Sequence, residues 1–369
     1  MRRSFITLSL VVCASTALAL SGCTTGTDGT TEPVASSVDE LSGTVTLMLP
    51  NTTTTRFIEH DGPAFVEAMA KLAPDITVDI VNAEGDPAKQ VNQAETAISS
   101  GTLGIVLVSA DPALSGAVLD KAASAGVPVV GYEHEALDGP VAYQVINDPL
   151  QVGQAQGAYF AENLPEADKP IQLARIYGNN GDNYTTKVKE GQDESIETLV
   201  ANGDVEVVCE DYAAGWDPAN AQQLIEQCLT STGNDVDAIL VSNDGTASGA
   251  IAALEGQSLA GKVPVYGGQD ANLDALKFIL EGLQVDTVFK DYAVEGGAAA
   301  QLLVDVLTGS EPSADLVNAT FDNGFAEIPA AYLPVTSVDV SNLQVVVDGG
   351  LYTKEEICEG VTTSSDFCG

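Results

Sequence analysis

Positive charge is what this chain of 369 residues has least of: 14 Lys and Arg stand against 53 Asp and Glu, for a formal net charge of −39. Binding a nucleic-acid backbone needs a basic face, so nucleic acid is excluded as a partner, and the acidity serves solubility rather than recognition. Histidine is nearly missing, with two in the chain, and no pair of cysteines is spaced as CxxC. The ligand sets of a zinc site are therefore lacking, and neither a metal nor a cofactor is expected. Past the N-terminal segment no stretch approaches the roughly 20 apolar residues of a membrane span. Tryptophan occurs once, as Trp216, and beyond Arg2 and Arg3 the only arginines are Arg56 and Arg175.

The N-terminus reads as a targeting segment. Arg2 and Arg3 precede an apolar core at 5–20, closed by Leu20-Ser21-Gly22-Cys23. That closing tetrapeptide resembles the bacterial lipobox, which implies a leader of residues 1–22, cleavage before Cys23 and acylation of its thiol. Residues 23–40, rich in Thr, Ser and Gly, read as a flexible tether. The expected location is outside the cell membrane, held by lipid on Cys23 alone. Apart from Cys13 and Cys23, four cysteines remain: Cys209, Cys228, Cys358 and Cys368. An even number in an exported chain points to disulfides. Sequence-local pairing would join Cys209 to Cys228 and Cys358 to Cys368, although the count leaves connectivity open.

What the chain does have is a repeat. IVLVSADPALSGAV, from Ile105, aligns with ILVSNDGTASGAI, from Ile239, so that Ser109 falls on Ser242 and Asp111 on Asp244. The match resumes at AGVPVVGYEH, from Ala125, against AGKVPVYGGQD, from Ala260. Each copy reads as a strand, a polar loop, a helix and a second strand. Short Val- and Ile-rich runs followed by helical periodicity form units of a parallel sheet buried on both faces, whose ligands bind beyond the carboxyl ends of the strands. Those ends read Ser109-Ala110-Asp111, Glu133-His134, Ser242-Asn243-Asp244 and Gln269-Asp270. Asp, Asn and Ser are also ordinary caps and turn formers, but four polar ends in two matching halves point to a shared cleft.

The same alternation runs through the rest. Strands are expected at 44–49, 76–81, 141–146, 171–177, 205–209 and 286–289, and helices at 63–72, 87–99, 151–163, 185–201, 218–230, 273–281 and 292–307. Residues 50–61, 165–170 and 178–184 are expected as loops. The fold class is α/β, with two doubly wound parallel-sheet lobes.

Several segments carry a family likeness: Arg56-Phe57, residues 178–183, Gly215-Trp216-Asp217-Pro218, SNDGTASGAI from Ser242, GGQDA from Gly267, TVFKD from Thr287 and DNGFAEIPAAYLPV from Asp322. On these, nearly the whole chain from residue 43 resembles the periplasmic sugar-binding proteins of the ribose-binding type, most closely the D-xylose-binding proteins and their multiple-sugar relatives. The resemblance implies the type I periplasmic binding protein fold, with three crossovers at the hinge. It places 41–147 plus 291–333 in an N-terminal lobe and 148–290 plus 334–369 in a C-terminal lobe. It also implies capture of a monosaccharide, D-xylose or a related aldose, by a monomer that delivers it to an ABC-type permease. A sugar sensor for a membrane signalling receptor is the alternative. A hydrolase using Asp182 and Asp270 as paired carboxylates is a distant third, since nothing supplies a nucleophile with its base.

These residues suit a sugar, whose C–H faces stack on aromatic rings and whose hydroxyls take charge-assisted bonds. Trp216, in loop chemistry, and Phe57, in the first strand-to-helix loop, are the candidate rings; Arg56 offers a fork that holds two hydroxyls at once. Asp182, Asn183, Asn243, Asp270 and Lys290 match the family's polar contacts. Two positions depart. Glu133 and His134 stand where the family usually has Asp-Arg, and imidazole cannot make the bidentate contact. Tyr184 stands where Asn is usual.

Overall fold

Buried parallel strands must be apolar on both faces, and the central runs Ile105–Leu107, Val129–Tyr132 and Ala238–Val241 are, with every residue buried. The computed structural model describes residues 37–166 and 170–369. The expected leader, Cys23 and most of the tether lie outside the described residues, as do 167–169 of the loop expected at 165–170.

In chain order the first half runs β1 (Gly43–Leu49), α1 (Gly62–Leu72), β2 (Ile76–Asn82), α2 (Pro87–Ser99), β3 (Ile105–Leu107), α3 (Gly116–Ala125), β4 (Val129–Tyr132) and β5 (Tyr143–Asn147). The second half repeats the alternation: α4 (Pro149–Glu162), β6 (Ile171–Tyr177), α5 (Asn183–Ala201), β7 (Val205–Tyr212), α6 (Pro218–Thr232), β8 (Ala238–Val241), α7 (Asp244–Gly256), β9 (Val265–Gly267), α8 (Leu273–Glu281) and β10 (Asp286–Phe289). Then follow α9 (Tyr292–Thr308), β11 (Ala319–Asp322), β12 (Glu327–Leu333), β13 (Thr336–Asp339), α10 (Gln344–Asp348) and α11 (Lys354–Cys358).

Sheet order is β2-β1-β3-β4-β5-β12-β11 in the first sheet and β7-β6-β8-β9 in the second, with β10 and β13 pairing beside it. The first five strands of one sheet and the four of the other thus follow the same doubly wound order, and all of those pairs are parallel. The chain passes between the sheets three times, after β5, after β10 and after β12.

Local chemistry explains where the helices start. Asp86, Asp148 and Asp217 each precede a proline and accept hydrogen bonds from N–H groups of the first turn, which sets a cap and a ready-made φ at the first helical residue. The expected loop at 50–61 is corrected in part, because Phe57–Asp61 forms a wide helical turn running straight into α1, and Arg56 already has helical φ and ψ. No Gly or Pro separates Arg56 from Gly62, so nothing stops the helix from extending back. The antiparallel hairpin β11–β12, which periodicity did not reveal, adds two strands to the first sheet.

Apolar side chains fill both faces of each sheet. Val45, Leu47 and Val106 meet Phe65, Met69 and Leu303 on one face of the first sheet, while Met48, Ile105 and Leu107 meet Leu119 and Ile328 on the other. In the second, Ile176 and Val241 pack on Ile225 and Leu254, and Leu173 and Leu240 on Phe160. Cys209–Cys228 ties β7 to α6 and Cys358–Cys368 closes the C-terminal tail. In the chain-entropy model a loop of the first size contributes roughly 3 kcal/mol. Among the described residues no helix is long and apolar enough to cross a membrane.

Candidate functional site

The carboxyl ends of both sheets face one cavity of about 560 Å³. The first sheet contributes Asn51, Thr53 and Glu84, then Asp111 after β3 and His134 after β4; the second contributes Asn179, Asp182 and Asn183 after β6 and Gly215, Trp216 and Asp217 after β7. Four of the expected sugar residues, His134, Asp182, Asn183 and Trp216, therefore border the same space.

Trp216 ends a short turn, Ala214–Trp216, and is held at φ 56°. Positive φ for a bulky residue costs energy, and such strain gathers at functional sites. Glu133 (φ 53°) and Asp270 (φ 96°) are strained in the same way. Asp182 caps α5 by accepting from Tyr184 N–H, and Asn183 donates across the cleft to Glu135 Oε1 at 2.7 Å. Burial pushes the Asp182 carboxyl upward, and burial with the nearby Asp182 charge pushes Glu135 to about 7. His134 Nδ1 lies 2.8 Å from Ser109 O. A carbonyl only accepts, so Nδ1 carries a proton.

The other six expected residues lie in a buried layer behind this wall. Arg56, 1% exposed, is its centre. Its Nε and Nη2 grip both oxygens of Asp61 at 2.8 Å, Nη2 also donates to Glu295 Oε2 at 2.8 Å, and Nη1 donates to Glu133 Oε1 at 2.7 Å. Lys290 donates to the same Glu133 oxygen and, at 2.9 Å, to Tyr184 OH. Asp270 Oδ1 is 3.6 Å from Arg56 and 3.5 Å from Lys290. Tyr292 lays its ring over the guanidinium at 4.6 Å. Phe57 turns its ring edge-on to His134. Asn243 is spent on a capping box at the start of α7.

Electrostatics follow from this crowding. Burial works against the charge on Arg56, but Asp61, Glu133 and Glu295 outweigh it and hold the group cationic. Burial would raise Glu133, yet Arg56 and Lys290 bring it down to about 2. Burial raises Glu295, and Glu133 and Asp61 add to the effect although Arg56 opposes it. Arg56 and Lys290 thus share Glu133, with Asp61 and Asp270 beside them.

Asp61, Tyr132, Glu135 and Glu295 belong to this arrangement and escaped sequence reasoning. Tyr132 donates to Asp61 at 2.5 Å. Glu295 could have been found, since it sits on the buried stripe of α9 with Tyr292, Gly296 and Ala299, where an acid needs a cation. Asp61 carried no such signal before Gly62-Pro63. Asp270 is buried and does not border the cavity that Asp182 lines, so no pair of these carboxylates flanks a common space as a hydrolase requires. Among the described residues no group of His, Cys, Asp and Glu could hold a metal ion.

A family model, the periplasmic binding protein domain, matches residues 45–311. The D-xylose-binding periplasmic protein of Escherichia coli (strain K12) is 30% identical over 300 residues, covering 81% of this chain and 88% of that protein. A multiple sugar-binding periplasmic receptor of Rhizobium radiobacter is 27% identical over 330 residues, covering 85% and 92%. An ABC transporter solute-binding protein from Clostridium phytofermentans, solved with bound β-D-glucose, superposes with a TM-score of 0.76 at 26% identity, covering 85% of this chain and 100% of that one. These relatives are binding proteins of transport systems, not enzymes. With two doubly wound sheets facing one polar cleft and relatives that match along most of the chain, this protein belongs to the periplasmic sugar-binding proteins of ABC transporters, built on the type I periplasmic binding protein fold.

Proposed function

We propose that the chain captures one aldose, D-xylose or a close relative such as D-glucose or D-galactose, between an N-terminal lobe (41–147 and 291–333) and a C-terminal lobe (148–290 and 334–369), and delivers it to an ABC-type permease. The observation that carries this reading is Trp216, held in strained backbone at the wall of a cavity of about 560 Å³ with Asp182, Asn183 and His134 around it. An indole face covers the C–H side of a pyranose while carboxylate, amide and imidazole take its hydroxyls. Closure is a hinge motion about the three crossovers, driven by contacts that both lobes make only when shut. The named ligands of the relatives, D-xylose, multiple sugars and β-D-glucose, support the aldose class.

Calorimetry of the mature domain with D-xylose, D-glucose and D-galactose is the test. One site per chain without turnover is expected, and no heat with any of them contradicts the reading. The protein works as a monomer, anchored outside the cell membrane by lipid on Cys23 after loss of residues 1–22. Cys23→Ser should release it from membranes in a fractionation assay, and retention would refute the anchor.

A further inference from the structure

We propose that the hydrogen bond between His60 and Tyr352 is a latch that holds the two lobes shut from behind the sugar site; the proposal rests on the aldose-binding reading above and on its lobes. His60 lies in the helical turn Phe57–Asp61, whose Phe57 is buried in the core of the first sheet. Tyr352 packs on the cluster of Leu276, Phe289 and Val338 in the other lobe, and the capping box of Thr353 and Glu356 starts α11 directly after it. His60 Nε2 and Tyr352 OH are 2.8 Å apart. Leu273 N–H donates to the same phenol oxygen at 3.2 Å, which leaves the phenol its own proton to donate to Nε2 of a neutral imidazole. Burial favours that neutral ring, lowering the His60 pKa against the pull of Asp61 and Glu59.

The latch also grips the loop that carries Asp270. Asp270 and Ala271 have φ of 96° and 50°, and backbone in such a conformation persists only where its surroundings hold it. Tyr292 OH donates to Asp270 O at 2.7 Å on one side of the loop, and Leu273 N–H donates to Tyr352 on the other. The His60 ring joins the two phenols, stacking on Tyr292 at 5.2 Å and standing edge-on to Tyr352 at 5.2 Å. Neither His60 nor Tyr352 borders the cavity; His60 lines a separate recess with Phe289, Tyr292 and Leu351. The pair are positioning residues that act through closure rather than by contact with the sugar. A lobe rotation that parts them by about 1 Å ends the bond, so its loss lowers the share of the closed state and weakens every sugar by the same factor.

The test is calorimetry with D-xylose and D-glucose on wild type, Tyr352→Phe, His60→Phe and the double variant, with melting of the sugar-free protein as the check on folding. Each single change keeps an aromatic ring and removes one partner of the bond. Both should weaken the two sugars alike by about fivefold, the scale of one neutral hydrogen bond. The double variant should bind no more weakly than the singles, because its second change finds the bond already gone. Affinities within about twofold of wild type in both singles would overturn the latch, and so would losses that multiply in the double variant or fall on one sugar only. A lower melting temperature with affinity intact would overturn it too, since the bond would then serve the fold and not closure. If His60→Phe does not fold, Tyr352→Phe decides alone by the same fivefold loss on both sugars. No sugar bound by wild type removes the aldose reading and the latch together, whereas wild-type binding with unchanged variants removes the latch alone.

Discussion

The two copies of the repeat carry matching text, yet each holds a buried carboxyl of opposite electrostatics. In the first, Glu133 is buried, yet Arg56 and Lys290 hold its carboxyl at about 2. In the second, Asp244 is as deeply buried, but its partners are the Thr287 hydroxyl at 2.7 Å, the Gln284 amide at 3.1 Å and Asn272 N–H at 2.8 Å. All three are neutral, and burial together with the Asp270 charge pushes Asp244 to about 8. Burial acts in one direction on both carboxyls; the presence of a cation reverses it.

The helix starts diverge for an equally local reason. Asn243 makes a capping box with Thr246, so α7 begins at Asp244. Ala110, at the matching place, has no side-chain acceptor. Asp111 caps instead, through Ala113 N–H, and a short turn, Pro112–Leu114, delays α3 to Gly116. A cap shifted by one residue leaves Asp111 at the cavity wall and turns Asp244 into the interior.

Removing the cation should break the contrast most. Arg56→Met leaves Asp61 and Glu133 buried without it, and the expected loss in urea denaturation is about 3–5 kcal/mol. A loss under about 1 kcal/mol would show that these carboxyls are relieved some other way.

The pH dependence should come next in size. Asp244 at about 8 and Glu135 and Asp286 at about 7 keep protons when folded that the unfolded chain has already released. The folded state then binds more protons between the ordinary carboxylate range and about pH 8, so stability falls as pH rises through that window. Glu133 has the opposite sign: its contribution is present above the unfolded carboxylate range and is lost as pH falls toward about 2. Thermal unfolding as a function of pH reads both, and Asp244→Asn should flatten the neutral slope by up to about 1.4 kcal/mol per pH unit. An unchanged slope would mean that Asp244 is ionised.

Packing separates the copies further. A Cβ on Gly249 would stand 2.1 Å from Pro218 O, whereas one on the matching Gly116 would stand 3.0 Å from Asp138 O. Gly249→Ala must push α6 off α7 and should cost about 1–3 kcal/mol in chemical denaturation, against under about 1 kcal/mol for Gly116→Ala. Equal costs would deny the asymmetry. Smallest of all, Asn243→Ala should cost about 1 kcal/mol, and Ala110→Asn should recover a few tenths by offering the missing cap.

The βα alternation was legible in the sequence because both periodicities are strong and caps such as Asp148-Pro149 and Asp217-Pro218 punctuate it. Trp216 and Asp182 were legible because turn residues hold them at strand ends. The buried layer was not. Asp61, Tyr132 and Glu295 come from a helix start, a strand end and an Ala-rich helix far apart in the chain, and only the folded sheet brings them around Arg56. Phe57 was expected at the cleft from the family likeness and its place in the first strand-to-helix loop, and the helical turn after Arg56 buries its ring against His134.

Emission from Trp216 gives the most direct measurement, since it is the sole tryptophan and borders the cavity. Titration of the mature domain with D-xylose or D-glucose should shift the emission and saturate at one sugar per chain, and Trp216→Ala should weaken binding by more than about 1 kcal/mol through lost apolar contact and stacking. If Trp216→Ala instead lowers the melting temperature sharply while leaving affinity intact, Trp216 is a core anchor and the sugar does not lie against this wall.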